Sequence, residues 1–263
     1  AGDFNFWSPT SEYAMKKDSN SEKFWLEIEG LESGEIYTYQ YWVSDLSPID
    51  ESPSLVKTAD PFSTMVLSPF DDPWIPDTSY PNLPEYPYEF GIEREVTLIK
   101  TGQEQYNWQV DNFDKPKEED LIIYEILIRD FDSDRTFQNL IDKIDYFKDL
   151  NINAIELMPV MEYEGNESWG YNTAFHMSVD KFYGPEEKLK EFIDLCHQNG
   201  IAVIFDLVMN HVMGRSPMNR MWMNDPDGNG WGEPSEESPY FNEIATHSYG
   251  LGNDFNHQSS YTQ

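Results

Sequence analysis

The stretch Ile201-Ala-Val-Ile-Phe-Asp206-Leu-Val-Met-Asn210-His211 carries an apolar run followed by a carboxylate, an amide and an imidazole. Buried parallel strands typically consist of such runs, and the functional sites of α/β proteins lie at the C-terminal ends of strands. We therefore predict a parallel strand over 201–207 with candidate functional side chains at its end. Because the sequence ends soon after His211, we expect a site that begins here to be incomplete within these 263 residues.

Two similar units precede this strand. Apolar runs over 121–128 and 152–158 predict two more buried strands. Apolar residues at helical spacing predict a helix over 136–150, and a second helix begins at Pro185. This alternation predicts a parallel sheet with right-handed crossovers, which is an α/β fold.

Two segments of this part have no regular period. The connection over 159–184 is far longer than is usual between a strand and a helix, and long ordered loops are often functional. The residues after about 212 are rich in Gly, Pro, Asn and Asp. We interpret them as a loop-rich insertion after the third strand.

The first part of the chain has a different pattern. Residues 1–66 contain short alternating runs, clearest over 36–43, which predict a small antiparallel β-sandwich that begins before the first residue. Residues 67–118 hold many prolines, which exclude continuous helix, and many aromatic residues, which favour packing. We predict an ordered, proline-rich linker there, with a candidate strand within 93–100, and an α/β part over 119–263.

Composition limits the partners. The formal net charge is −32, from 49 acidic and 17 basic residues. Such a charge repels phosphate backbones and anionic lipids, so we expect neither nucleic acid nor membrane as a partner. Cys196 is the single cysteine, so an intrachain disulfide is excluded and the cellular compartment is left undecided.

Several short motifs resemble the alpha-amylase family of glycoside hydrolases. The run from Asp206 to His211 resembles the D-x-x-x-N-H box at the end of barrel strand three. The strand-one segment 124–131 resembles the branch of branching enzymes, isoamylases and pullulanases, and the start of the chain resembles an N-terminal immunoglobulin-like module. Further motifs match the loop after strand two and the end of the inserted domain: Trp169-Gly-Tyr171-Asn172, Tyr183-Gly184-Pro185 and Gly252-Asn-Asp254-Phe-Asn256-His257.

The resemblance implies the first three βα units of a TIM (β/α)₈ barrel, with an inserted domain from about 212. It implies action on α-glucans such as starch, glycogen or maltodextrin by a retaining mechanism, in which one carboxylate attacks and another acid protonates the leaving group. The motifs that carry the family's nucleophile and general acid have no counterpart in this sequence. We therefore assign no catalytic residue, treat Asp206 as a supporting acid, and expect these residues alone to be inactive.

The resemblance also implies binding residues. Tyr171 is expected to stack on a sugar ring and His211 to bind its hydroxyls, with Trp169 beside them; the alternatives are an ordinary loop aromatic and a core histidine. No cofactor is required. Asn210 and Asp254 correspond to calcium ligands in some branches of the family, whereas other branches lack that ion.

Three open points follow from the sequence. The spacing of Asp225 to Glu236 fits a calcium-binding EF-hand loop, but a Gly/Asp turn is the preferred interpretation because no helices flank it. Glu156 lies inside a predicted strand and is expected to pair with Arg129. For the whole molecule, the alternatives to a glucan hydrolase are a non-catalytic glucan-binding protein and a glucan-branching transglycosylase.

Overall fold

The N-terminal part consists of short antiparallel strands. The computed structural model describes residues 1–248 and 250–262. The strands are β1 (Lys16–Lys17), β2 (Phe24–Trp25), β3 (Ile36–Tyr39), β4 (Tyr41–Ser44), β5 (Leu55–Thr58), β6 (Val66–Leu67) and β7 (Val96–Lys100). Strand β7 is the centre of a three-stranded sheet with β3 and β6, while β4 pairs with β5 and β1 pairs with β2.

Strand β7 lies inside the segment predicted as linker, within the stretch 93–100 where a strand was expected. Thr97 is in register with Tyr39 on one side and with Val66 on the other. The first three residues of β7 are buried, as expected for a central strand. The sheet therefore extends past residue 66. The immunoglobulin-like assignment and the domain boundaries stay predictions.

The second part alternates strands and helices as predicted. Its elements are β8 (Ile123–Ile126), α1 (Ile128–Phe131), α2 (Phe137–Asp142), α3 (Ile144–Asp149), β9 (Ala154–Leu157), β10 (Met161–Tyr163), β11 (Thr173–Val179), α4 (Glu186–Gln198), β12 (Ala202–Phe205), β13 (His211–Val212), α5 (Pro217–Arg220) and β14 (Asn253–Asp254). Strands β8, β9 and β12 form a parallel sheet in the order β12-β9-β8. An α/β fold is thereby confirmed for this part.

The helix predicted over 136–150 is in fact two helices, α2 and α3, so the prediction of one continuous helix was wrong. They meet at Lys143, which has φ −100° and ψ 13° and is therefore not helical. Leu140 and Phe147, on opposite sides of this bend, are both completely buried in the same core cluster. The apolar spacing survives the bend, which is why the sequence pattern does not show it.

The long connection between β9 and α4 contains a hairpin that the sequence did not predict. Strands β10 and β11 pair antiparallel, with irregular register between Met161 and Tyr163. Ala174 and Phe175 of β11 are buried in one cluster with Ala59 and Val66 of the N-terminal part. The hairpin therefore joins the parallel sheet to the N-terminal strands.

Buried ion pairs strengthen the same junction. The Lys181 ammonium contacts Glu162 in β10 and lies 3.2 Å from Asp72 Oδ1 of the proline-rich segment. Burial raises the pKa of Glu162 to about 7, against the opposing effect of the Lys181 charge. Burial also raises the pKa of Asp72 and Asp180. One cation thus faces three buried carboxyl groups from three segments.

The helices cover one face of the parallel sheet and leave the other open. Tyr124, Ile155 and Val203 pack into the main core with the helices. Because side chains alternate along a strand, Glu125 and Glu156 lie on the opposite face.

Within the described residues, no helix combines the length and apolar character needed to cross a membrane.

Candidate functional site

Three of the predicted site residues meet at the C-terminal end of the parallel sheet. Asp206 directly follows β12, and Tyr171 ends the loop that leads into β11. The Tyr171 hydroxyl donates a hydrogen bond to Asp206 Oδ2 at 2.6 Å. His211 Nε2 lies 2.7 Å from the Tyr171 backbone carbonyl oxygen. Tyr171 is therefore held through its hydroxyl by one motif residue and through its backbone by another.

His211 is buried, and its ring nitrogens contact other groups of the protein. Because a carbonyl oxygen only accepts, its contact with Tyr171 places a proton on Nε2. Nδ1 is then the acceptor facing the Asn210 side-chain amide at 3.3 Å, so both ring nitrogens have partners. His211 thus fixes the loop that carries Tyr171. Its predicted contact with sugar hydroxyls stays a prediction.

Two carboxylates that were not among the predicted site residues extend the site. Glu125 and Glu156 are in register on β8 and β9, and Glu156 is in register with Ile204, two residues before Asp206. These three acidic side chains therefore share the open face of the sheet. The hydrogen bond to Asp206 and burial, with added repulsion from Glu125 and Glu156, raise the pKa of the Tyr171 hydroxyl to about 12.

The predicted pairing of Glu156 with Arg129 was wrong. Arg129 lies in α1, beyond the end of β8, and its guanidinium makes two hydrogen bonds to the adjacent Asp130, at 2.7 and 2.8 Å. The neighbour of Glu156 across the sheet is Glu125 instead. The open face is therefore acidic at the position of Glu125 and Glu156, because Arg129 does not neutralise these carboxylates.

The loop that holds Tyr171 is ordered by its own contacts. Gly170 has φ +91°, and a Cβ atom there would collide with the backbone of Pro159. The Asn172 side chain donates to the Glu164 carbonyl oxygen at 2.6 Å. Trp169 lies in this loop with 59% of its surface exposed, beside the site but free of the core. The loop therefore presents an accessible indole next to a fixed tyrosine.

Asn210 and Asp254 come close together through the pairing of β13 with β14. Strand β13 pairs with β14, and the Asn210 carbonyl oxygen accepts a hydrogen bond from Phe255. Asp254 Oδ2 accepts hydrogen bonds from Asn242 and from the backbone and hydroxyl of Thr246, at 2.8–3.0 Å. Asp254 Oδ1 lies 3.3 Å from His247 Nε2.

These contacts engage both carboxylate oxygens of Asp254. Burial acts to raise the pKa of this carboxyl group, but the hydrogen bonds hold it below its ordinary value, so the group is ionised and already satisfied. In the part of the chain that the structure describes, no three acidic, His or Cys side chains are grouped for a metal ion. The assignment of Asn210 and Asp254 as calcium ligands stays a prediction.

The stretch from Asp225 to Glu236 forms a turn closed by its own side chains. Asp225 Oδ2 accepts a hydrogen bond from the Gly230 backbone at 2.9 Å, and Asp227 accepts two from Asn229. The nearest helix before it, α5, has four residues. The arrangement corresponds to the Gly/Asp turn rather than to an EF-hand.

Comparison with known proteins shows which proteins the α/β part is similar to. Residues 125–242 match the alpha amylase catalytic domain. The chain is 34% identical over 155 residues to the malto-oligosyltrehalose trehalohydrolase of Saccharolobus solfataricus, which covers 59% of the chain and 25% of that protein. It is 33% identical over 184 residues to the 1,4-alpha-glucan branching enzyme GlgB of Halothermothrix orenii, covering 65% of the chain and 28% of that enzyme. The α/β part of this chain is therefore similar to the catalytic domain of the alpha-amylase family.

Solved structures agree at the level of the fold. The catalytic module of the glycogen-degrading pneumococcal virulence factor SpuA superposes with a TM-score of 0.56, at 21% identity, covering 86% of this chain and 33% of that one. A protein from Salmonella typhimurium described as a candidate alpha amylase gives a TM-score of 0.61, at 20% identity, over 94% of this chain and 34% of that one. The chain spans about a quarter of the length of the two curated relatives compared above.

Proposed function

We propose that this chain forms the glucan-binding part of an alpha-amylase-family enzyme that acts on α-glucans with retention. The observation that carries the proposal is the convergence of Tyr171, Asp206 and His211 at the end of the parallel sheet. The named relatives are a trehalohydrolase of malto-oligosyl trehalose, a branching enzyme and a cyclomaltodextrinase. Those names support an α-glucan as the ligand.

The chemistry of the site suits a neutral, hydroxyl-rich ligand. An aromatic ring offers an apolar surface to the C–H groups of a sugar, and Tyr171 is held in one orientation by its two hydrogen bonds. Glu125 and Glu156 offer carboxylate acceptors to hydroxyl donors and repel anions. Trp169, which is exposed two residues before Tyr171, would provide a second ring for the same chain of sugars.

Retaining hydrolysis needs a nucleophile and a general acid, and we assign neither to a residue of this sequence. Asp206 is engaged with the Tyr171 hydroxyl, which supports a positioning role rather than attack. We therefore expect the 263-residue polypeptide to bind malto-oligosaccharides without cleaving them.

Calorimetric titration with maltoheptaose tests the proposal. Tyr171→Ala removes the ring and should weaken binding by about tenfold, whereas Tyr171→Phe keeps the ring and should weaken it less. Tyr261→Ala is the matched control, because Tyr261 is 72% exposed and lies near the end of the chain. Equal affinity of Tyr171→Ala and wild type, or release of reducing sugar by the isolated polypeptide, would contradict the proposal.

A glucan-branching transglycosylase is the second candidate, since the branching-enzyme match extends over 184 residues. Both reactions pass through the same kind of glycosyl intermediate, and the acceptor decides between them. With amylose as substrate, the complete enzyme would form new branch points if it transfers and new reducing ends if it hydrolyses. Binding without either product would favour the non-catalytic alternative.

A further inference from the structure

A cleft of about 330 Å³ lies between the N-terminal sheet, the proline-rich segment and the start of helix α4. None of its lining residues belongs to the candidate site described above. Its apolar lining includes Met65, Pro84, Leu98 and Val179, together with the ring of Tyr80. The N-terminal sheet, the proline-rich segment and the end of β11 thus contribute apolar side chains to one cleft.

The hydroxyl of Tyr80 is poorly satisfied in this cleft. Its hydrogen-bond acceptor is the Met65 thioether sulfur at 3.6 Å, and a thioether is a weak acceptor. Burial raises the pKa of Tyr80 to about 12, so the group remains a donor at neutral pH. A ligand oxygen in the cleft would be a better partner than sulfur.

Polar side chains of both signs also line the cleft. Lys100 and Gln103 come from the end of β7 and the turn after it, and Glu186 and Glu187 begin α4. Gln103 Nε2 donates to Glu187 Oε1 at 3.3 Å, across the junction. The cleft therefore offers ammonium and amide donors beside carboxylate acceptors, which is the mixture that hydroxyl groups need.

Size and charge select the ligand class. The volume lies at the lower end of the range of about 300–1,000 Å³ that small-molecule sites occupy, so the occupant is short. The charges of Lys100 and of Glu186 and Glu187 have opposite signs, and the chain as a whole carries −32. Anions are thereby disfavoured, and a neutral polyhydroxyl ligand fits best.

We propose that this cleft is an accessory site for a short, neutral malto-oligosaccharide, separate from the candidate site of Tyr171. The choice of sugar rests on the proposed function, because the relatives named above act on α-glucans. The ring of Tyr80 and the apolar lining receive the C–H face of the sugar, and Lys100, Gln103 and Glu187 receive its hydroxyls. Ligand binding there would join the N-terminal sheet to helix α4.

Amide chemical shifts of the ¹⁵N-labelled 263-residue polypeptide, titrated with maltotriose to millimolar concentration, test the cleft. Residues 100, 103 and 187 should shift with saturation, and the same shifts should persist in Tyr171→Ala. The double variant Lys100→Ala/Gln103→Ala should weaken the saturation by about fivefold or more, since it removes two exposed donors. Lys148→Ala/Gln138→Ala, which changes the same residue types in α3 and α2 away from the cleft, is the matched control and should leave it unchanged.

The outcomes separate this inference from the proposed function. Shifts at the cleft without shifts around Tyr171 support the accessory site and contradict sugar binding at the candidate site of Tyr171. Shifts around Tyr171 alone contradict the accessory site and are consistent with the proposed function. Cleft shifts that the Lys100→Ala/Gln103→Ala variant does not weaken overturn the cleft as argued, and the absence of any shift overturns both.

Discussion

The side chain and backbone of Tyr171 are restrained by different partners, Asp206 and His211. Two independent restraints on one residue limit both the position of the loop and the rotation of the ring. A sugar that stacks on a ring already held in place loses less entropy on binding than one that must order it. At the scale of the residue, the site is therefore prepared before any ligand arrives.

Replacing Asp206 should change the ionisation of Tyr171. Asp206→Ala removes both the hydrogen-bond acceptor and the nearest negative charge, so the pKa of Tyr171 should fall from about 12 toward the ordinary value of about 10. Glu125→Ala should lower it less, because Glu125 acts through its charge alone. NMR titration of ring-labelled tyrosine would show the difference, and equal shifts in the two variants would contradict the assigned cause.

Two glycines of the same hairpin loop form a matched pair. Gly165 and Gly170 both have positive φ, but a Cβ atom at Gly165 meets nothing within 4 Å, whereas at Gly170 it meets Pro159. Gly165→Ala should cost about 1–2 kcal/mol from the backbone alone. Gly170→Ala should cost a further 1–3 kcal/mol or so from the collision. Urea unfolding measures the loss of stability in both variants. Equal losses would show that Pro159 moves aside to accommodate the added Cβ atom.

At the scale of the element, the predicted and observed structures differ where tertiary contacts decide. Apolar spacing predicted the three parallel strands and α4, because a buried strand and an amphipathic helix carry their pattern in the sequence. The bend at Lys143 leaves that spacing intact, so it is invisible there. The β10–β11 hairpin was missed because its irregular register and its burial on both faces remove the alternation of period two.

The site shows the same division. Asp206, Tyr171 and His211 could be predicted because each belongs to a motif that is contiguous in sequence. Glu125 and Glu156 could not be assigned to the site, since their adjacency depends on the register of two strands. The sequence did hold one relevant signal. Glu125 alternates with Tyr124 and Ile126, and this alternation indicates that Glu125 faces away from the core.

The Lys181 cluster should control the attachment of the hairpin. Lys181→Met leaves the buried carboxyl groups of Glu162 and Asp72 without their cation, which should destabilise the protein by about 3–5 kcal/mol. Lys148→Met removes an exposed pair with Asp145 and should cost about 0–1 kcal/mol. Urea unfolding followed by tryptophan fluorescence compares them. Similar costs would mean that the buried pair contributes nothing beyond a surface pair.

At the scale of the whole molecule, stability should depend on pH through Glu162. Its pKa is raised to about 7 by burial, from an ordinary value of 4.5, so the folded state binds more protons than the unfolded state between these values. The free energy of unfolding should therefore fall as pH rises through this window and be highest below it, as far as this group is concerned. Glu162→Gln should flatten the slope, and an unchanged slope would assign the effect elsewhere.

The junction between the N-terminal strands and the hairpin has a consequence for the integrity of the molecule. Lys181 with Asp72, Arg215 with Asp71, and the Phe175–Val66 cluster all join segments that lie far apart in sequence. The peptide around residues 103–105, by contrast, is exposed. A protease that cut there would produce two polypeptides that stay together in native buffer and separate only in detergent, so a nicked preparation would pass unnoticed in gel filtration.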